Sequence, residues 1–410
     1  MPHGARRANH WFGSAGVVLE ERGLIVRVLH LYAGNLFGGV ETYLVTLAKT
    51  QALMPQMQHE FALCFPGRLA TELTQAGAVV HELGAVKIRN PWQVWQARSR
   101  LRTVLRRGGF DVVICHACWS QAIFGTVVKS QRLPLVFYCR DTLSGQSWLE
   151  QLAKWTVPDF VVANSRYTQS TLATVYPGVP SQVVYHPVLS AGEGDRAEIR
   201  RQMRDEFQTP EDRVVIVQAC RMERWKGHEL LLLAVEKLKH VPNWEVWMVG
   251  GAQRPHEQIY LASLQAQAAT LGISDRIKFL GQRSDVPKVL AAADVHCQPN
   301  SGGEPFGIAF IEALYAGLPL VTTAIGAATE IVDSTCGYLV PPGDSQAIAQ
   351  CLERLITNPA ERDRLAQGGF ARANLLCNPV QQLTKLHSVL AQRTAVSQRG
   401  ADPIALSVME

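Results

Sequence analysis

No apolar run in this 410-residue chain reaches the roughly 18 residues that a membrane span requires. The first 22 residues carry Arg6, Arg7 and polar groups but no apolar centre of the signal-peptide kind. They read as a disordered extension, or as residues upstream of the true start, and the stretch from 393 to 410 reads as a loose tail. Charge of one sign is scarce: 40 basic against 35 acidic side chains leave a net +5, too little to imply nucleic acid. Cysteines number nine, an odd count, and most stand in apolar runs such as VVIC and VVIVQAC, as buried reduced thiols of a cytosolic protein do. Cys115 and Cys118 make a C-x-x-C, but no second pair follows at zinc spacing, so no metal site is expected. A G-x-G-x-x-G is also missing, which excludes the nicotinamide dinucleotide fingerprint.

What is present is an alternation of apolar runs, turns and amphipathic segments. LIVRVLHL, FALCF, VVHEL, DVVICHA, LPLVFYC and DFVVANS are short V/I/L-rich strands with helical stretches between them. Continuous apolar strands of this sort belong to parallel sheets covered on both faces. VVYHPVL closes the series near Leu189, and a polar, charged segment follows. A second series runs through VVIVQAC, WEVWMVGG, RIKFLG, VHCQPNS, PLVTT and GYLVPPG. The expectation is an α/β chain of two Rossmann-like, doubly wound domains, 23–192 and 193–392, facing across a cleft lined by strand-end loops.

The most informative stretch is SGGEPFGIAFIEALYAGLPLVTT. It sets Glu304 in a glycine-rich turn and Glu312 eight positions on, among apolar neighbours where a carboxylate needs a partner. The plain alternative is a capping carboxylate and a solvated helix glutamate. One carboxylate for hydroxyls and a helix N-terminus for phosphate suit a polyhydroxylated anionic ligand. In CRMERWKGHE, Arg221 follows a strand and Lys226 lies five residues on; converging on a cleft, they would neutralise a diphosphate, although a basic surface turn would look similar. Gly38 and Gly39, after the first strand, let backbone approach a ligand at a helix start. His116 ends DVVICH at the sheet edge, where the other reading is a satisfied core histidine. Arg140–Asp141 and Asn164–Ser165 are further strand-end polar pairs, split between cleft lining and loop structure.

KIRNPWQVWQARSRLRTVLRRGG places Asn90 as a cap with Pro91 at the first helical position. Lys87, Arg89, Arg98, Arg100, Arg102, Arg106 and Arg107 occur with no acid among them, beside Trp92 and Trp95. That reads as a surface for anionic lipid or as an ordinary domain helix with a solvated basic face. No D-x-D occurs, so phosphate neutralisation by Arg and Lys fits better than metal-dependent use of a nucleotide sugar.

These motifs together resemble the retaining glycosyltransferase family 4, of GT-B fold, within the glycosyl transferases of group 1. The resemblance spans roughly Val26 to Leu386 and is strongest from Val214 to Gly343, through CRMERWKG, WMVGG, IKFLG, GYLVPPGD and the glutamate pair with seven residues between. It implies that Glu312 holds the ribose hydroxyls of a nucleotide donor. Arg221 and Lys226 would bind its diphosphate. Glu304, with Pro305, Phe306, Gly307 and Ile308, would face the sugar and β-phosphate. His116 would lie near the sugar, Gly38 and Gly39 near the phosphates, and Glu330 would hold the glycine-rich loop before it. The chain departs where Ala327-Ala328 stand for glycine, and where Tyr185-His186-Pro187 replaces a P-N-G turn.

The implied reaction moves a sugar from a nucleotide diphosphate to a hydroxyl of a glycan or lipid-linked acceptor with configuration retained, without metal or other cofactor. The first domain would read the acceptor, the second the donor, and the last helix would pack back on the first. A cytoplasmic place at the inner membrane face, in cell-surface glycan or glycolipid synthesis, goes with it. Competing readings are a sugar phosphorylase, a nucleotide-sugar hydrolase or epimerase, and a non-catalytic nucleotide-sugar-binding protein.

Overall fold

The computed structural model describes residues 25–35, 37–190 and 195–399. The expected extension at 1–22 lies outside them. Two parallel sheets organise the chain. The first holds β1 (Val26–Tyr32), β2 (Met57–Leu63), β3 (Val79–Glu82), β4 (Val112–His116), β5 (Leu135–Cys139), β6 (Phe160–Ala163) and β7 (Ser181–Val183), in the order β3-β2-β1-β4-β5-β6-β7. The second holds β8 (Val214–Ala219), β9 (Trp244–Val249), β10 (Ile277–Gly281), β11 (Val295–Gln298), β12 (Leu320–Thr323) and β13 (Gly337–Val340), in the order β10-β9-β8-β11-β12-β13. Each sheet reverses its winding once, between β1 and β4 and between β8 and β11, which is where open α/β sheets leave a crevice.

The strand sequences explain the layering. Along β8 and β9, Ile216, Val246 and Met248 pack into one apolar cluster, while Val215, Val217, Trp247 and Val249 pack into the cluster on the other face. Period-two alternation between two covered faces is why these strands read as unbroken apolar runs. Trp244 and Trp247 are fully buried, and each contributes roughly 4–6 kcal/mol by removal of its area from water.

Two boundaries differ from expectation. The ladder of β7 stops at Val183, with one more backbone bond from Val184 N to Ala163 O. The rest of VVYHPVL cannot continue it, because Pro187 has no N–H and Tyr185 and His186 turn to the cleft side. The last helix, Pro379–Arg399, runs past the point where the chain was expected to loosen. Its Leu383, Leu386, Val389 and Leu390 are buried in the first domain's cluster with Val26, Val28 and Phe61, so this helix packs back on the first domain.

That return predicts a measurable cost. Leu386→Ala removes a buried side chain and should destabilise the first domain by about 2–5 kcal/mol. Urea unfolding followed by intrinsic fluorescence would show it; a shift under about 0.5 kcal/mol would mean the helix is not part of that core.

Candidate functional site

The two winding reversals face each other across a cavity of about 510 Å³, within the size range of small-molecule sites. Its first-domain wall comes from Gly34, Asn35 and Phe37 to Glu41 after β1, from His116 at the end of β4, and from Arg140 and Asp141 after β5. Its second-domain wall comes from Arg221 to Lys226 after β8 and from Gln298 and Glu304 to Ala309 after β11. Gly38, Gly39, His116, Arg221, Lys226, Glu304, Pro305, Phe306, Gly307 and Ile308 all line it. Glu312 does not; it stands one turn on from Ile308.

Two helices begin at this cavity. Gly38 is the cap residue of Gly39–Lys49, and the Gly38 N–H donates to Glu41 Oε2 (2.8 Å). Gly307, at φ 97°, caps Ile308–Tyr315 without any side-chain acceptor, so that helix leaves N–H groups available to a ligand. Ile308 Cδ1 lies 3.5 Å from where a side chain on Gly39 would begin, so the two helix starts meet across the cleft.

Glu304 is held rather than free. Its Oε2 accepts from Lys226 Nζ (2.7 Å), Asn300 Nδ2 (3.0 Å) and Gln298 Nε2 (3.2 Å). Lys226 thus arrives already neutralised, with its ammonium also 3.9 Å from the Trp225 ring centre. Arg221 likewise pairs with Glu223 at 2.9 Å. Gln298 and Asn300 were not among the expected site residues; their signal was the strand-end run VHCQPNS. Glu312 is the opposite case. It is half-buried, its carboxylate has no hydrogen-bond or ion-pair partner among the described residues, and burial pushes its pKa up to about 7.

His116 is fully buried and both ring nitrogens are engaged. Arg140 Nε donates to His116 Nδ1 (3.2 Å), and Arg140 Nη1 donates to His186 Nε2 (2.7 Å). A guanidinium can only donate, so it fixes the tautomers beyond it. His116 carries its proton on Nε2 and donates to His30 Nδ1 (2.8 Å); His30 in turn donates from Nε2 to His59 Nδ1 (2.8 Å). Burial foremost, then the charge of Arg140, holds His116 and His186 well below the usual imidazole range, and burial brings His59 to about 3. The chain is neutral except for Arg140, whose guanidinium lies 3.8 Å and 3.9 Å from the Tyr43 and Tyr138 ring centres.

Glu330 does something other than hold its own loop. Its carboxylate accepts from the Arg166 and Tyr167 N–H groups (2.9 and 2.8 Å) and from Tyr185 Oη (2.9 Å), all in the first domain. It caps the short helix Arg166–Ser170 from across the domain boundary. Beside it, Ser165 Oγ donates to Pro305 O (2.6 Å), while Asn164 lines the cavity.

The helix expected to be basic is Pro91–Gly108, capped by Asn90. Two of its arginines turn inward: Arg98 Nε donates to Ile123 O (2.6 Å) and Arg100 Nη1 to Leu83 O (3.1 Å). Its buried stripe is Ala97, Leu101 and Leu105. Trp92 and Trp95 are not in that stripe; they stack on each other, 63% and 55% exposed. Cys115 is buried on β4, and Cys118 opens the next helix.

Comparison with known proteins agrees with both halves. The family described as "Glycosyl transferases group 1" matches residues 199–372, and "Glycosyltransferase Family 4" matches 37–188. The lipopolysaccharide core biosynthesis glycosyltransferase LpsD of Rhizobium meliloti is 27% identical over 84% of this chain and 92% of its own length. A phosphatidyl-myo-inositol mannosyltransferase of Mycobacterium leprae is 43% identical over 26% of this chain and 29% of its own length. Across the relatives named for phosphatidyl-myo-inositol or D-inositol 3-phosphate with the strongest matches, the chain spans 29% to 56% of the relative's length. Among solved structures, HepE of Anabaena in complex with UDP and glucose aligns with a TM-score of 0.78 at 22% identity, over 89% of this chain and 99% of that one; this shows the shared GT-B fold.

The loop before Glu330 sets Glu304 in place through a close backbone approach. Gly326 has φ 66°, and a side chain there would begin 2.4 Å from Glu304 N. Gly326→Ala should therefore cost more than about 2 kcal/mol and pull Glu304 from Lys226. A thermal melt unchanged by this substitution would contradict the geometry.

Proposed function

The chain belongs to the family 4 type of glycosyltransferase within group 1, and from that premise we propose that it transfers a sugar, with retention, from a nucleotide diphosphate to a hydroxyl acceptor in the cleft. The observation that carries the proposal is the contrast along one helix. At its start, Gly307 leaves N–H groups without an acceptor; one turn beyond Ile308, the Glu312 carboxylate has no partner. A diphosphate at the first and ribose hydroxyls at the second complete both ends at once. The nucleoside would then extend past the described cavity along that helix.

In the reaction the bond between the sugar's anomeric carbon and the β-phosphate oxygen breaks on the face where the acceptor oxygen attacks. The acceptor's proton passes to the departing phosphate oxygen. Negative charge grows on that phosphate, and Arg221, Lys226 and the N–H groups after Gly307 stabilise it. No metal enters this scheme. Glu304, fixed by three donors, holds the Lys226 ammonium against the leaving group.

The acceptor reading is a glycan or lipid-linked molecule of the cell surface, presented at the inner face of a membrane. The roles for which LpsD and the mannosyltransferase are named support it. So does an aromatic path: Trp119 lines the cavity and meets Trp148 edge-on at 5.5 Å, and Trp148 is 55% exposed. The helices that carry Trp92 and Trp95, Trp119, and Trp148 pack side by side, with Arg102, Arg106 and Arg107 on the first of them. Tryptophan and cationic side chains together suit the interface of an anionic bilayer. No helix among the described residues is long and apolar enough to cross a membrane.

Two measurements test this reading. UDP, the nucleotide in the HepE structure, serves as the probe. Ribose hydroxyls donate to the ionised Glu312, so its pKa must fall from about 7 on binding. Affinity is then full above pH 7 and weakens as pH falls through 7, by up to about tenfold per unit. Glu312→Gln should bind weakly and lack this component, leaving only the titration of the nucleotide's own phosphate. Parallel pH profiles for wild type and variant would remove Glu312 from the site. Separately, flotation with vesicles containing anionic lipid should recover the wild-type protein, and Trp92→Ser with Trp95→Ser should release it. Equal recovery would leave the membrane reading without support.

A further inference from the structure

The first domain grips the second by the residues on either side of Glu304. Ser165 Oγ donates to Pro305 O at 2.6 Å, and Tyr167 Oη stands where a side chain on Gly303 would begin. The Tyr185 and His186 rings lie 5.9 Å and 4.7 Å from the Phe306 ring. The donors to the Glu304 carboxylate, Lys226, Asn300 and Gln298, all belong to the second domain. The neighbours of Glu304 along the chain are thus held by one domain and its side chain by the other.

Glu330 ties these contacts together. Its backbone is fixed within the second domain: Arg372, on the helix Pro359–Cys377, donates from Nη2 to Glu330 O (2.7 Å) and from Nε to Ile331 O (2.9 Å). Its carboxylate is turned the other way. Every hydrogen bond that the carboxylate makes among the described residues is to the first domain, from Arg166 N–H, Tyr167 N–H and Tyr185 Oη. Three residues earlier, Ala327 N–H donates to Glu304 O at 2.8 Å, and Gly326 forms an isolated β-bridge with Glu304. The segment 326–330 therefore holds the Glu304 main chain at one end and docks the first domain at the other. A single helical turn, Ala328–Ile331, joins the two ends, so a displacement at one is carried to the other. The loops after β1 and β9 also touch, but Gln253 Nε2 lies 3.4 Å from Phe37 O, a long bond.

Resting on the proposed transferase reading for the role of Glu304, we infer that Glu330 is a positioning residue that makes the geometry of Glu304 depend on domain docking. Its carboxylate docks the first domain, docking sets the Glu304 main chain, and that sets the grip of Glu304 on Lys226. When the domains part, the Glu330 bonds are lost and Glu304 relaxes from Lys226. The N–H groups after Gly307 and the Glu312 carboxylate do not depend on these bonds. The nucleotide end of the donor therefore binds in either state, and the sugar end is completed only in the docked one.

The test is hydrogen–deuterium exchange of the full chain, read at single amides by mass spectrometry, for wild type and Glu330→Gln. The amide keeps the carboxylate's shape but sets a donor against donors. The Arg166 and Tyr167 amides report docking, and the Ala327 amide reports the link to Glu304. Each should exchange about tenfold faster or more in the variant, as loss of bonds to a charged group requires. Small-angle scattering should show a larger radius of gyration. Amides of β8 and β9 should keep their rates, which a general loss of stability would not allow. Faster exchange at Arg166 and Tyr167 with Ala327 unchanged overturns the inference, and so does an unchanged radius. In a thermal-shift titration the UDP midpoint should stay within about twofold of wild type; a loss of about tenfold would make Glu330 part of the nucleotide site and overturn its positioning role. If UDP shifts neither protein, the donor reading fails, and the exchange rates still decide whether Glu330 positions Glu304. Should Glu330→Gln not fold, Tyr185→Phe removes one of the three donors to the carboxylate and keeps the ring beside Phe306. It should speed exchange at Ala327 by a smaller factor, and unchanged protection there again overturns the inference.

Discussion

The cleft exists because two sheets present their reversal points to each other, and a small set of hydrogen bonds keeps them so. Ser165 Oγ reaches Pro305 O, and Glu330 reaches two helix-start N–H groups and Tyr185 Oη. Both contacts land on loops that also carry site residues. Pro305 follows Glu304, and the Glu330 loop passes against Glu304 through the backbone bond from Ala327 N to Glu304 O. The relative position of the domains and that of Glu304 are thus set by the same contacts. A few hydrogen bonds of this sort are worth only a few kcal/mol in total, which suits an interface that must open to admit substrate. The returning helix Pro379–Arg399 keeps the domains tethered by apolar packing when those bonds break.

Charge is distributed unequally between the walls. On the second domain, Lys226 and Arg221 are pre-paired with Glu304 and Glu223, so an incoming diphosphate replaces one anionic partner by another and little new charge is buried. On the first domain, Arg140 is bonded to imidazoles rather than to a carboxylate, with the charges of Glu41 and Asp141 in the same cavity lining, and it is backed by a row of neutral imidazoles with one polarity. That row lies on the sheet face occupied elsewhere by Val28, Phe61 and Ile114. Polar groups in such a layer are tolerated because each inner ring is bonded to the next.

Much of this was legible in the residues. Unbroken V/I/L runs gave away parallel strands, and the strand ends named most of the cavity. Glu304, Lys226 and Gly307 came from the spacing of charge and glycine around those ends. What stayed hidden was pairing. His30 and His59 sit in mid-strand, and nothing in VRVLHLY or MQHEFAL says that neighbouring strands bring their side chains into one hydrogen-bonded row with His116. His186 looked like a departure from a family turn, and only the fold puts it against Arg140. Glu330 was expected to serve its own loop, because a sequence does not show which groups face a side chain across a domain boundary. Arg98 and Arg100 read as a solvated basic face for the same reason: charge pattern fixes the type of side chain, not the carbonyl it finds.

The central claim is that one nucleotide diphosphate spans the start of helix Ile308–Tyr315 and the unpartnered carboxylate of Glu312. A crystal structure of the full chain with UDP tests it most directly. The account predicts ribose hydroxyls within hydrogen-bond distance of Glu312, and diphosphate oxygens on the N–H groups after Gly307 and beside Arg221 and Lys226. UDP held elsewhere, or in the cleft with its ribose away from Glu312, would contradict it.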